Sequence, residues 1–232
     1  FGTQLNVEEE NFKWMRDSIY PTKVQKEYPR VNVGGPDCEQ TYSASLFNIS
    51  AMSFGALSKN AIEALNKGAK EGNFFHDTGE GGISDYHRLG GDLVWEIGTG
   101  YFGCRTEEGN FDPEQFKEKA NWPEVKMIEI KISQGAKPGH GGVLPASKNN
   151  NEIATIRGVE PHTDVLSPPG HTAFNNAEGL LGFVEQLRVL SNGKPVGFKL
   201  SIGSKDEFLE ICEKMVETGI KPDFITVDGA EG

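Results

Sequence analysis

A parallel α/β barrel of the (β/α)8, or TIM, type is the fold class this sequence predicts, and three observations lead to it. From Leu46 onward short apolar runs alternate with amphipathic ones, the strand–loop–helix rhythm of βαβ units, which favours a parallel sheet. Residues of chemical character stand just after the strands rather than before them, on the side where barrels build their sites. The chain is 232 residues long, against roughly 250 for a closed barrel. Only about six strands are legible between Leu46 and Gly232. The expectation is an α/β barrel truncated before its last strands, residues 46–232, with residues 1–45 as an N-terminal extension packing on it.

Each element follows from its own stretch of sequence. The extension opens acidic, suggests a short aromatic helix around Asn11–Ser18, and is broken by Pro21, Pro29 and Pro36. Phe47–Met52 reads as a strand. Lys59–Lys70 reads as a helix with Ile62, Leu65 and Ala69 on one face and Ser58 as N-cap. Asn73–His76 is a brief strand, and the glycines of residues 83–110 suggest an elaborated loop packed by Trp95, Tyr101 and Phe102. Asp112 and Pro113 supply the N-cap and first position of a helix through Ala120. Val125–Ile132 is an apolar strand, Glu152–Arg157 a short helix and Val165–Ser167 another short strand. A helix over Asn176–Leu190, a strand over Val196–Leu200, a helix over Lys205–Glu217 capped by Ser204, and a strand over Phe224–Val227 complete the series.

Composition excludes several classes. Hydrophobic residues at 36% and charged residues at 25% are ordinary for a globular chain with a real core. No apolar run reaches the roughly 18 residues a membrane helix needs. The opening Phe1-Gly2-Thr3-Gln4 lacks the basic start and apolar core of a signal peptide. A cytoplasmic protein is expected, with membrane attachment through a removed N-terminal segment left open because no Met precedes Phe1. The net charge of −11 argues against a nucleic-acid partner, which needs a basic face. Cys38, Cys104 and Cys212 are odd in number and widely spaced, as free thiols in a reducing compartment would be. No nucleophilic triad, zinc-spaced histidine pair or P-loop occurs, so no metal is expected.

The chemistry concentrates after the strands. Ser50-Ala51-Met52-Ser53-Phe54-Gly55 offers small residues and bare amides beneath a bound ring, or simply a tight strand-to-helix turn. Thr78-Gly79-Glu80-Gly81-Gly82 presents one carboxylate on a glycine-rich loop, or a surface turn. Ile128–Gly142 is the richest stretch: Lys131 lies inside an apolar run, where burying an ammonium demands a partner. Gln134 and Lys137 follow with an amide and a second cation. Arg157 offers a bidentate carboxylate clamp or a solvated helix end. His171, after Ser167-Pro168-Pro169-Gly170, suits a hydrogen-bonding role better than a catalytic one. Lys199 repeats the lysine-in-strand pattern, and two inward lysines suggest a strongly anionic ligand. Flavin fits this inventory, since a fixed lysine stabilises the negative charge of the reduced ring.

In order, Ala51-Met52-Ser53-Phe54-Gly55, Asp77-Thr78-Gly79-Glu80-Gly81-Gly82, Ile130–Gly139, Ser167-Pro168-Pro169 and Asp228-Gly229-Ala230-Glu231-Gly232 closely resemble the FMN-binding synthase domain of glutamate synthase, in its stand-alone form without a glutaminase domain. The resemblance covers roughly Phe47 to Gly232. It implies an FMN-dependent oxidoreductase of the type acting on CH–NH2 donors. Ammonia condenses with 2-oxoglutarate to 2-iminoglutarate, which is reduced to L-glutamate. By position it implies Lys131 and Glu80 as catalytic residues and Met52, Ser53, Lys131 and Gly229 as cofactor contacts. Gln134, Lys137 and Arg157 would hold the substrate carboxylates. It further implies an electron donor, ferredoxin or a reductase subunit, and a [3Fe-4S] cluster whose cysteines lie outside these residues. His140 and Val143 depart from the glutamate and glutamine of the large synthases. They leave open a different 2-oxo acid or imine as substrate, or a catalytically silent flavin-binding partner subunit.

Overall fold

Two short strands, β1 (Arg30–Val33) and β2 (Tyr42–Ser45), pair antiparallel as a hairpin that precedes the barrel elements. This is the computed structural model of residues 6, 8–10, 18–23, 27–137, 139, 141–229 and 232. The helix expected around Asn11–Ser18 lies, apart from Ser18, outside the described residues.

After the hairpin come α1 (Lys59–Gly72), β3 (Phe75–Asp77), β4 (Asp92–Ile97), α2 (Pro113–Ala120), β5 (Val125–Lys131), β6 (Val143–Leu144), α3 (Asn151–Arg157), β7 (Val165–Leu166), α4 (Ala177–Leu190), β8 (Val196–Leu200), α5 (Lys205–Thr218) and β9 (Ile225–Val227). The helices expected to start at Ser58, Asp112 and Ser204 do so, and α3 and α4 begin with Asn150 and Asn176 as caps. Ser58, Asp112, Asn150, Asn176 and Ser204 each accept a backbone N–H of the first turn, a bond whose loss costs about 1 kcal/mol.

β3, β4, β5, β8 and β9 form one parallel sheet in that order, a curled half-barrel. The chain at Ile49–Met52 runs beside β3. Ile49 donates to the Phe75 carbonyl, and the N–H groups of Asp77 and Met52 reach Ile49 and Asp77 in turn. Only Ile49 is bridged, so the strand expected over Phe47–Met52 shrinks to a single contact with His76. Two further expectations are corrected. β4 occupies the middle of the stretch read as a loop, because glycines on both sides hid six residues of strand. The strand at Val165 pairs antiparallel with β6 and belongs to no barrel wall.

Side-chain alternation sorts the sheet into two faces. Leu93, Trp95, Ile97, Ile128, Ile130, Val196 and Phe198 point outward and pack on Phe116 of α2 and on Leu180, Phe183, Val184 and Leu187 of α4. Full burial of each such side chain contributes about 1.5–3 kcal/mol. At the N-terminal end of the inner face, Val94 and Met127 meet Tyr42 and Ala44 of the hairpin, with Phe75 and Phe224 beside them. The hairpin therefore plugs one end of the half-barrel, and the other end is left for a site. At the β9 edge, Ile225 and Val227 are exposed and α5 buries no residue fully.

His76 and His87 lie in van der Waals range behind β3, rings 5.2 Å apart, both fully buried. Neither nitrogen of His76 has a hydrogen-bond partner among the described residues. Burial, reinforced by His87, pushes its imidazole down to about 3. The folded protein thus excludes a proton that the unfolded chain accepts below about 6.5, so His76 subtracts stability as pH falls from 6.5 toward 3. Asp77 and Glu96, whose carboxyls are raised, act in the opposite sense over much of that range. A difference measurement removes their contribution. His76→Leu is expected to raise stability by about 1 kcal/mol at neutral pH and by about 2 kcal/mol more at pH 5. Urea denaturation of both proteins at the two pH values checks this, and a pH-independent difference contradicts it.

Candidate functional site

Along each strand the inward positions change from apolar to charged toward the C-terminal end. β4 presents Val94 and then Glu96, β5 presents Met127, Glu129 and Lys131, and β8 ends with Lys199 inward. Glu96 is in register with Glu129, and Lys131 with Lys199. The result is a cavity of about 640 Å³ at the strand C-termini.

The floor is a buried charge cluster. Lys199 donates to Glu96 and lies 3.8 Å from Glu129, whose other oxygen accepts from the Thr226 hydroxyl. Asp77 accepts the Gly79 N–H at 2.9 Å. Carboxylate oxygens of Asp77, Glu96 and Glu129 lie within 4.8 Å of one another. Burial, with Glu129 and Glu96 adding, lifts the Asp77 carboxyl well above its ordinary range. Burial likewise lifts Glu96 to about 7, against the pull of Lys199 and Lys131. Lys199 feels the same burial in the opposite sense, yet Glu96, Asp77 and Glu129 around it keep it charged above its usual value. A lysine ammonium thus already occupies the place a cation would take. Both inward lysines line the cavity, Lys199 paired with Glu96 and Glu129 and Lys131 with Glu80.

Lys131 Nζ stands 3.2 Å from Glu80 Oε1, 3.0 Å from Gln134 Oε1 and 4.0 Å from Glu96 Oε1. Gln134 also donates to the Gly232 carbonyl at 3.2 Å. Lys137 lies exposed at the rim. Arg157 is no solvated helix end: it is 6% exposed, its guanidinium lies 4.9 Å over the Phe102 ring, and Nη2 donates to the Phe54 carbonyl. Its Nε is buried without a partner among the described residues. Burial lowers its affinity for a proton, and Glu80 opposes that. Met52 and Ser53 line the opposite wall, Met52 held by its N–H on Asp77 and by His87 on its carbonyl. One cavity therefore gathers Met52, Ser53, Glu80, Lys131, Gln134, Lys137 and Arg157. Gly229 is exposed beyond β9 and off the cavity wall, and His140 lies outside the described residues. Val143 lines the wall and is exposed.

Glycines make the Glu80 loop possible. Gly79 has φ +65°, and a Cβ there would lie 2.8 Å from the Ser53 nitrogen. On the neighbouring strand end, a Cβ at Gly98 would lie 2.6 Å from Glu80 Oε2. Gly98→Ala is therefore expected to push Glu80 off Lys131 while the fold persists. Loss of the 3.2 Å ion pair in a crystal structure checks it, and an unmoved Glu80 contradicts it.

Asp77, Glu96 and Glu129 escaped the sequence reading, although the same signal that marked Lys131 was present. Glu96 and Glu129 each interrupt an apolar strand and share a face with a neighbouring charge at i+2 or across the register. Iron–sulfur ligation finds no support among the described residues. Cys38 donates to the Gly193 carbonyl, Cys104 is buried in the outer core and Cys212 sits on α5. No helix among the described residues is long and apolar enough to cross a membrane.

A half-barrel with a cavity at its strand C-termini, lined by lysines, an arginine and several carboxylates, has the architecture of a small-molecule site. Residues 4–232 match the family model described as the conserved region in glutamate synthase. The chain belongs to the glutamate synthase family. It is 38% identical over 240 residues to the glutamate synthase large subunit-like protein YerD of Bacillus subtilis (strain 168), covering 97% of this chain and 45% of that protein. With the archaeal glutamate synthase [NADPH] of Archaeoglobus fulgidus it shares 35% identity over 223 residues, 95% of this chain and 38% of that protein. With the archaeal-type glutamate synthase [NADPH] of Thermotoga neapolitana it shares 32% over 184 residues, 78% and 33% respectively. The chain thus spans less than half the length of these relatives. A solved Parabacteroides merdae β-glucuronidase aligns with a TM-score of 0.32 at 10% identity, over 77% of this chain and 22% of that one, a likeness too slight to argue from.

Proposed function

We propose that this chain carries the cofactor and substrate cavity of an FMN-dependent, glutamate synthase-like oxidoreductase that makes L-glutamate from 2-oxoglutarate and ammonia via 2-iminoglutarate. The observation that carries the reading is the convergence of Lys131, Gln134, Lys137, Arg157 and Glu80 on one cavity at the strand C-termini. The cavity fits a flavin and a small acid in kind: its volume falls in the range of ligand pockets, and Arg157 brings a buried N–H with no partner. Bound FMN would supply the hydride. The chain's own residues would do the rest. Lys131 would face the negative side of the flavin, with Met52 and Ser53 under the ring and Gly229 completing the cofactor set from the end of β9. Gln134, Lys137 and Arg157 would fix the two carboxylates of 2-oxoglutarate. Glu80 would meet ammonia and the imine. Closure of the half-barrel by further strands on the β9 edge belongs to the same proposal, supported by exposed Ile225 and Val227 there. So does delivery of electrons by a ferredoxin or a reductase subunit, the latter in keeping with relatives named for NADPH.

The test is anaerobic titration of the FMN-reduced protein with 2-oxoglutarate plus ammonium. Flavin reoxidation with stoichiometric glutamate supports the proposal. A flavin that stays reduced defeats it. The second reading, another 2-oxo acid or imine, is favoured by Val143 on the cavity wall, where an apolar side chain gives a distal carboxylate no partner. Reoxidation by less polar 2-oxo acids, and not by 2-oxoglutarate, would select it.

A further inference from the structure

The carbonyl of Lys131 has an unusual partner. Ile128 and Ile132 of the same run both donate their N–H groups to β8, at Pro195 and Lys199. By alternation the Lys131 peptide faces the β4 side, and β4 ends at Ile97, so no strand remains to meet it. His171 fills the vacancy: its Nε2 lies 2.7 Å from the Lys131 carbonyl oxygen. A nitrogen facing a carbonyl must carry the hydrogen, which leaves Nδ1 as an acceptor. Nδ1 lies 3.1 Å from the hydroxyl of Tyr101, and that oxygen in turn accepts the Ala173 N–H at 3.0 Å. With the hydrogen on Nε2, every donor in this relay has an acceptor. The histidine ring also stacks on Phe174, centroids 4.8 Å apart. Tyr101 is fully buried and holds φ at +48°, a left-handed conformation costly for a tyrosine and kept only where neighbours over-determine it.

We propose that His171, oriented by Tyr101, is a positioning residue that completes the C-terminal end of β5 and thereby aims the Lys131 ammonium into the cavity. Three segments meet in it: the turn after β4, the end of β5 and the loop before α4. The inference rests on the reading of Lys131 as the lysine that faces the flavin.

Two measurements test it. In the flavin-free protein, long-range 1H–15N NMR is expected to show His171 as the Nε2–H tautomer, and Tyr101→Phe is expected to mix the tautomers. A dominant Nδ1–H form in the unmodified protein overturns the proposal. In the FMN-loaded protein, the flavin midpoint potential is compared across Lys131→Met, His171→Leu and His171→Gln, the glutamine amide reaching as far as Nε2. Lys131→Met is expected to shift the ratio of affinities for reduced and oxidised flavin most. His171→Leu should follow in the same direction by about 3- to 10-fold, with the glutamine variant restored to within about twofold. A shift in Lys131→Met with none in His171→Leu overturns the positioning role alone. No shift in either overturns the flavin reading of Lys131, and the positioning role with it.

Discussion

Lys131→Met is expected to lower glutamate formation from 2-oxoglutarate and ammonium by about 100- to 1,000-fold in kcat, the usual loss when one preorganised charge is taken from a reacting centre. Methionine keeps the stem and its packing, so the change removes charge and little else. The ammonium now stands between Glu80 at 3.2 Å and Glu96 at 4.0 Å, with Gln134 beside it. Without it, Glu96 loses one of the two cations that hold its carboxyl down, and it titrates higher than its present value of about 7. The variant is thus expected to bind an additional fraction of a proton at neutral pH, and any step that needs ionised Glu96 to be lost at a higher pH than in the unmodified protein. Steady-state rates from pH 6 to 9 check both parts. A rate within threefold of the unmodified protein would remove Lys131 from the proposed chemistry.

Asp223→Ala should produce the largest loss of stability, about 3–5 kcal/mol, because it takes the buried partner from Arg188, which keeps only half-exposed Glu185 and the Lys221 carbonyl, and leaves the Val196 N–H without its acceptor. Asp223 lies two residues before β9, with its side chain 2% exposed and that of Arg188 4% exposed. Its Oδ2 accepts from Arg188 Nε at 3.3 Å and Nη2 at 3.1 Å and from the Val196 N–H at 2.9 Å. Its Oδ1 accepts from the Gly35 N–H at 2.7 Å. One carboxylate thus ties α4, the first residue of β8, and the loop between β1 and β2. The loss is a large share of the 5–15 kcal/mol that holds a typical domain. Replacing Arg188 and Asp223 together by leucine should cost much less than either single change, since the only charge left without its partner is that of Glu185, which is half exposed. Urea midpoints at constant slope measure this, and a single-variant cost under about 1 kcal/mol would contradict it.

Much of this was legible in the sequence, for local reasons. Ser58, Asp112 and Ser204 are caps because their side chains reach the next turn whatever lies beyond. Lys131 was legible because a charge inside an apolar strand is costly without partners. The partners themselves were not. Glu96 belonged to a stretch whose glycines outvoted its strand pattern, and its contact with Lys199 spans 103 residues of chain. The same distance effect hid the role of the hairpin, since nothing local to Tyr42 announces Val94 or Met127. For Arg157 the sequence left a carboxylate clamp and a solvated helix end open, because the Phe102 ring and the Phe54 carbonyl that cover it lie far away along the chain.

The contact between Glu80 and Lys131 has a consequence for selectivity. A carboxylate tethered a few ångströms from the ammonium acts as a competitor at an effective concentration in the millimolar range or above. Any visiting anion is weighed against it. Chloride or a monocarboxylate offers one charge and gains nothing over the resident. A ligand that brings a second acidic group for Arg157 or Lys137, or a planar ring for the opposite wall, gains contacts that Glu80 cannot supply. The cavity's own carboxylate thus works as a threshold, screening out the small abundant anions of solution before any specific recognition begins.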